Sequence, residues 1–264
     1  MPDFPCNVLI DCRPFAVSRP HLLLIVIAAF SVEVVGLLKP YAPISDLLHS
    51  GGTQVDGAEV GIVVIEREIC KDIINSNKLN SDKSLDDIKH KVIFPYHILD
   101  GKAVLIDEDH MRRNFPMAFA YLASQKEVLA GRDKGKGRDY PVWYEYGRTQ
   151  SLIMPAVKMF FPKIANKPLR CVIVNDPNLW LYNGMAFVGD DERKMKVLQK
   201  ILESKIFWNY VVANSKPYSS GYYSLNGANI KNFGIPYFSE NEENDLLQLQ
   251  NKDDINEWLC RYYK

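Results

Sequence analysis

Apolar residues in this chain arrive in short runs whose order is irregular, and that order limits its possible folds more than any other feature. Residues 7–10, 60–65, 92–96, 103–106, 171–174, 179–182 and 185–188 are runs of four to six residues bounded by polar or turn-forming residues, the pattern of short strands. Residues 21–30 form a longer run of the same kind, and residues 13–20 read as the turn before it. Helical spacing appears elsewhere. A helix starts at Pro116, because proline suits the first helical turn. Ala118, Leu122, Gln125 and Leu129 then share a face, with Phe119 alongside and Gly131 as a C-cap. A second helix spans residues 191–203, where Met195, Leu198, Ile201 and Leu202 form an apolar stripe, and residues 240–263 read as helical too. Residues 44–49 make a short helix or turn before the break at Gly51-Gly52, and residues 75–91 an exposed loop or short helix. Residues 215–223, rich in Ser, Gly, Pro and Tyr, have loop composition with aromatic inserts. A doubly wound parallel sheet needs strands and helices in regular alternation. This sequence lacks that rhythm, so the expected class is α+β, with mixed sheets and packed helices.

The 264 residues admit one large domain or two smaller ones, and an apolar content of 47% supports a real core. A formal net charge of zero excludes a generic polyanion binder, yet the charge is uneven. Residues 126–170 hold ten Lys and Arg against four acids, whereas residues 240–257 hold seven acids against Lys252. A basic middle and an acidic end let one face hold nucleic acid; the bland reading is that each charge is simply solvated. The five cysteines (Cys6, Cys12, Cys70, Cys171, Cys260) form no Cys-x-x-Cys pair and have no clustered His, which argues against zinc and fits a reducing, cytoplasmic setting. The run 22–30 is shorter than the ~20 residues needed to cross a bilayer, so no membrane partner is expected.

Residues 143–150, W-Y-E-Y-G-R-T-Q, are the richest stretch for function. Upstream lies Lys134-Gly135-Lys136-Gly137-Arg138, a loop of cations spaced by glycine. Cations meet phosphates, and planar donors such as Arg148 and Gln150 meet base edges. The same eight residues also suit a solvated loop before a buried strand. Read as a strand, they put Tyr144 and Tyr146 on the face opposite Trp143, which fits the core.

Several chemistries are absent. There is no Gly-rich dinucleotide or P-loop signature and no Gly-x-Ser-x-Gly elbow. His21, His49, His90, His97 and His110 are scattered. Asp107-Glu108-Asp109-His110 is an acidic cluster after a strand; it can hold a metal, but helix N-termini attract acids anyway. The residues favour binding over bond chemistry, with no catalytic residue and no metal site expected.

Seven segments in order carry a resemblance. Ile44-Ser45-Asp46-Leu47 leads to Gly51-Gly52-Thr53-Gln54; Phe94-Pro95-Tyr96 precedes Gly101-Lys102. Ala120-Tyr121-Leu122 to Lys126 and Leu129 to Arg132 precede Trp143, Tyr146-Gly147-Arg148 and Gln150. Then come Lys158 and Phe161-Pro162-Lys163-Ile164, Ser204-Lys205 before Tyr210, and Ser220-Gly221-Tyr222-Tyr223 before Phe233-Gly234-Ile235-Pro236. Together they resemble the TaqI-like C-terminal specificity domain of adenine-specific DNA methyltransferases and fused type II restriction–modification enzymes, over Ala42 to Pro236.

The resemblance implies a target-recognition domain over residues 42–238, preceded by a segment 1–41 that is the end of a catalytic-type domain or a docking element, and followed by an acidic helical tail, 239–264. Such a domain docks on double-stranded DNA and reads a short sequence. A partner methyltransferase domain or subunit then moves a methyl group from S-adenosylmethionine to adenine N6, so this chain needs no cofactor and performs no catalysis alone. The partner's Asn-Pro-Pro-Tyr motif is absent; Asn175-Asp176-Pro177-Asn178 is not it. The DNA-facing candidates are Lys102, Lys126, Arg132, Lys134, Lys136, Arg138, Tyr144, Tyr146, Arg148, Gln150, Lys158, Lys163, Tyr218, Ser220 and Tyr222. Arg148 either forks onto a guanine or holds a phosphate, and a Gly-Arg shared across the family would suit the phosphate; Gln150 matches adenine. The alternative is an interaction subunit of such a system that never touches DNA.

Overall fold

The computed structural model describes residues 65–81, 83–131, 139–146, 152–153, 155–182, 184–189, 191–225 and 227–263, together with the strand Leu23–Ile25. In chain order the strands are β1 (Leu23–Ile25), β2 (Cys70–Asn75), β3 (Lys89–Ile93), β4 (Tyr96–Leu99), β5 (Lys102–Leu105), β6 (Val157–Phe161), β7 (Ile164–Ala165), β8 (Val172–Asn175), β9 (Leu179–Tyr182), β10 (Met185–Val188) and β11 (Tyr223–Ser224). The helices are α1 (Glu108–Asn114), α2 (Pro116–Ser124), α3 (Lys126–Ala130), α4 (Glu192–Leu202), α5 (Lys205–Asn214), α6 (Gly227–Asn232), α7 (Glu240–Gln248) and α8 (Lys252–Cys260). The class is α+β.

An antiparallel sheet ordered β1-β10-β6-β8 forms the centre. Strand alternation sends its two faces into different cores. Met159, Phe161, Met185 and Phe187 point to a core closed by α4, α5, α7 and α8, in which the Phe161 and Phe187 rings stack 5.1 Å apart. Phe160, Ala186 and Val188 point the other way, against the second sheet, β3-β2-β9, whose β2–β9 pair is parallel. A third cluster of Ile69, Ile93, Ile106, Met111, Ala118, Leu122, Leu129 and Tyr144 lies under α1–α3.

Local chemistry sets the element ends. Asp191 caps α4 by accepting the Lys194 amide at 2.9 Å, and the four stripe residues named from the sequence are buried. Pro116 does open a helix, but the chain breaks at Gln125, so Leu129 belongs to α3. Gly131 caps α3 at a φ of −73°, ordinary right-handed backbone and not the left-handed form expected of a glycine cap. Asp100 and Gly101, at φ 49° and 70°, make the two-residue turn of the β4–β5 hairpin. The acidic C-terminal segment is helical and shares its core with the central sheet: Leu246, Ile255, Trp258 and Leu259 pack in the same cluster as Met159. Residues 7–10, 44–49 and residues 60–64 of the expected strand 60–65 lie outside the described residues.

Candidate nucleic-acid interface

Two stretches of this chain contain no acid at all: residues 146–175 and residues 204–239. The fold joins them. In β7 and β11, Ala165 pairs with Tyr223 and Ile164 with Ser224, and the Leu225 amide donates to the Lys163 carbonyl at 2.7 Å. Lys163 and Lys167 are exposed on one side of this pairing and Lys216 on the other. Among the described residues none of the three makes an ion pair, and neither stretch has a carboxylate of its own to offer.

Beyond the pairing the chain makes a tight turn. Pro217 bridges to Tyr223, and the Tyr218 amide donates to the Tyr222 carbonyl at 2.6 Å. Ser220 and Gly221 sit at φ 60° and 76°, so the turn demands left-handed backbone at both positions, which a serine tolerates at some cost and glycine freely. That geometry leaves Tyr218 59% exposed and Tyr222 38% exposed, with Ser220 at the tip. Tyr223 turns inward, edge-on to Trp208 at 5.7 Å. Flexible ammonium groups beside exposed phenol rings suit a phosphate backbone and the bases or grooves next to it.

Four of the sequence candidates, Lys163, Tyr218, Ser220 and Tyr222, thus come together here. Lys167 and Lys216 join them and were missed from sequence; the acid-free stretches were the readable signal. Lys102 and Lys126 are exposed on other elements, Lys102 beside the β4–β5 turn and Lys126 with its ammonium 5.2 Å from the centre of the Trp143 ring. That tryptophan also packs edge-on against Phe119 at 5.9 Å, and Phe119 lies 4.4 Å from the Arg112 guanidinium. Arg132, Lys134, Lys136, Arg138, Arg148 and Gln150 lie outside the described residues, which leave off at Gly131 and Tyr146 on either side.

Three candidates are corrected by burial. Residues 139–146 form turns instead of a strand, so the expected alternation about Trp143 does not apply. Tyr144 is 2% exposed and donates its hydroxyl to the Ile106 carbonyl at 2.7 Å; burial, with Glu108 and Asp107 nearby, pushes its pKa to about 12. Tyr146 is buried as well. Its hydroxyl donates to the Ile93 carbonyl, and its amide donates to the Tyr96 hydroxyl at 2.7 Å. Lys158 is fully buried, and its ammonium donates to the carbonyls of Pro155 at 3.0 Å and Asp176 at 2.5 Å. Burial lowers its pKa to about 8 against the opposing pull of Asp176. These groups hold the fold together from inside and have no free surface for DNA.

The acidic cluster acts as a helix start. Asp107 caps α1 by accepting the His110 amide at 2.8 Å, and Glu108 accepts from Arg112 at 2.6 Å. Among the described residues no group of three or more His, Cys, Asp or Glu could hold a metal, and no helix is long and apolar enough to cross a membrane.

No protein-family model matches this sequence, and no curated protein matches it. Among solved structures, the chain is similar to the Type IIL restriction-modification enzyme MmeI in complex with DNA, at 14% identity and a TM-score of 0.47. The likeness covers 69% of this chain and 22% of that one, so this chain spans about a fifth of that enzyme's length.

Proposed function

We propose that this chain is a duplex-DNA recognition module, the specificity part of an adenine-N6 DNA methyltransferase or restriction–modification enzyme. The carrying observation is the β7–β11 face, where Lys163, Lys167 and Lys216 have no ionic partner among the described residues and flank a turn presenting Tyr218 and Tyr222. The ordered sequence segments that resemble target-recognition domains narrow the reading from polyanions in general to duplex DNA. The lysines position the module on phosphates, and the tyrosine turn, with Arg148 and Gln150 as further candidates, reads the bases. Methyl transfer belongs to a partner domain that carries S-adenosylmethionine and flips the target adenine out of the duplex.

Titration against duplex DNA at increasing salt tests this. Binding weakens steeply, because each neutralised phosphate releases counterions and contributes about −0.9 to the slope of log K against log salt. Failure to bind duplex at low salt, with and without a methyltransferase partner, removes the proposal.

One observation favours the alternative, a protein-docking role. The β4–β5 hairpin exposes Ile98, Leu99 and Val104 at 45%, 55% and 45%, beside a cleft of about 350 Å³ that Phe94, Tyr96, Ile106 and Phe115 help to line. Exposed apolar side chains of this density suit a protein contact better than a phosphate. Stable co-purification with a methyltransferase subunit, with DNA affinity untouched by neutralising the lysines, selects that reading.

A further inference from the structure

The loop that carries Lys163 and Lys167 is held from behind by a segment about eighty residues earlier in the chain. That segment, Ser76–Asn80, is a single tight helical turn following β2. It touches the loop at three successive points. Ser76 donates its hydroxyl to the Phe161 carbonyl at 2.7 Å and accepts the Met185 amide at 3.3 Å. The Asn77 carboxamide oxygen accepts two consecutive backbone amides, Lys163 at 2.7 Å and Ile164 at 3.2 Å. The Asn80 side chain accepts the Arg170 amide at 3.1 Å, and the Arg170 guanidinium donates to the carbonyls of Leu79, Ser81 and Lys83 at 3.3, 3.0 and 2.8 Å.

The sequence is built for this contact. The Asn77 amide is itself held by the Asn75 side chain at 3.1 Å, which orients the residue. Gly184 has to be glycine, since a Cβ there would lie 1.6 Å from the Ser76 hydroxyl oxygen. A two-residue strand such as β7 has too few ladder bonds to set its own geometry, so the side chain of Asn77 supplies what the ladder lacks.

We infer that Asn77 is a positioning residue for the cationic face, setting the backbone from which Lys163 projects, and that Arg170 braces the same loop instead of meeting phosphate. This rests on the DNA-binding reading of the β7–β11 face. It assigns functions to two residues outside the candidates read from the sequence. Arg170 ends the basic stretch 126–170 and is exposed, yet one of its guanidinium nitrogens and its amide are committed to the 79–83 turn.

The test uses the full chain, a duplex DNA oligonucleotide, and backbone amide exchange. Asn77→Leu keeps the branching at Cγ and removes the acceptor. Exchange protection at Lys163 and Ile164 is expected to fall, binding to weaken about three- to tenfold, as loss of one or two modest hydrogen bonds allows, and the salt slope to drop by about one unit, as for Lys163→Ala. Combining Asn77→Leu with Lys163→Ala should weaken binding no further than Lys163→Ala alone, since both remove the same contact. Arg170→Ala removes the carbonyl bonds that one guanidinium nitrogen makes to the 79–83 turn. It is expected to lower exchange protection at Lys163 and Ile164 together with binding, whereas loss of a phosphate ligand would weaken binding with protection unchanged; it also covers the case in which Asn77→Leu does not fold. Unchanged exchange protection in Asn77→Leu, wild-type affinity despite lost protection, or unchanged protection in Arg170→Ala each overturns the inference. If the wild type binds no duplex at all, the DNA reading fails, while the exchange measurement still decides whether Asn77 sets this loop.

Discussion

The β7–β11 face and the C-terminal helices carry opposite charge and use it in opposite ways. On the face, Lys163, Lys167 and Lys216 are left to solvent. In α7 and α8 the acids are worked into the structure. Glu243 accepts from Arg193 at 3.0 Å, and Asp253 holds Lys205 at 2.9 Å. Glu242 completes a capping box with Ser239 and accepts the Tyr262 hydroxyl at 2.6 Å. A formal net charge of zero therefore hides an uneven arrangement: acids of α7 and α8 that stabilise helix ends and interhelix contacts, and three lysines of the β7–β11 face that make no ion pair among the described residues. Charges without an internal task are the better guide to a binding surface, because an ion pair already satisfied within the protein gains little from a partner.

Destabilising the C-terminal helices should leave the cationic face working. Trp258 is buried in the main core, with its ring 5.3 Å from Phe238 and 4.8 Å from Tyr262. Trp258→Ala should cost about 3–5 kcal/mol of stability in denaturant unfolding. Protein that is still folded should keep its affinity for DNA. A parallel loss of affinity would show that the two regions are not independent.

The next effect is the converse. Replacing Lys163, Lys167 and Lys216 by alanine together should weaken duplex binding about 10²-fold at low salt and remove about 2.7 from the salt slope. The melting transition should hardly move, since exposed substitutions without partners stay within about 0.5 kcal/mol. A large stability loss would mean that these lysines have internal partners after all.

Lys158 is a cation that is not on the face. Its folded-state pKa is about 8, below the usual 10.5. Between those values the unfolded chain binds more protons than the folded one, so stability should rise with pH across that window, by about 1–3 kcal/mol. Lys158→Met should flatten the rise while leaving the salt slope of DNA binding unchanged. A slope reduced by one unit would instead return Lys158 to the phosphate contacts.

The smallest effect concerns Glu242. Bonding from Tyr262 and then from Ser239 lowers its pKa to about 2. A lowered carboxylate pKa contributes stability above its ordinary value of 4.5, lost as pH falls toward 2. Glu242→Gln should make acid unfolding measurably less steep in that range, with DNA binding at neutral pH unaffected.

Local signals were readable at some element ends. Pro116 opens α2 and Asp191 caps α4, and the Met195 to Leu202 stripe is buried as its spacing requires. The strands at 172–175, 179–182 and 185–188 follow their apolar runs within a residue. Reading failed where tertiary contacts overrule spacing. Tyr144 and Tyr146 have the period of a strand, but each hydroxyl finds a backbone carbonyl inside the protein, and the chain turns to let them reach it. Helix α1 was hidden because its first turn reads as an acid cluster, although those acids are what a helix N-terminus favours.

The α+β class, the starts of α2 and α4 and the absence of acid from two long stretches are legible in the sequence alone, because they depend on neighbours within a turn or a strand. Only the tertiary structure decided which cations face outward. Lys158, Lys163 and Arg170 fall within one short span of chain, yet one is sealed beneath a sheet, one is open to solvent and one is tied to a distant turn. Their fates differ because burial and hydrogen-bond partners come from residues far away in sequence, and no local pattern records where those residues will be.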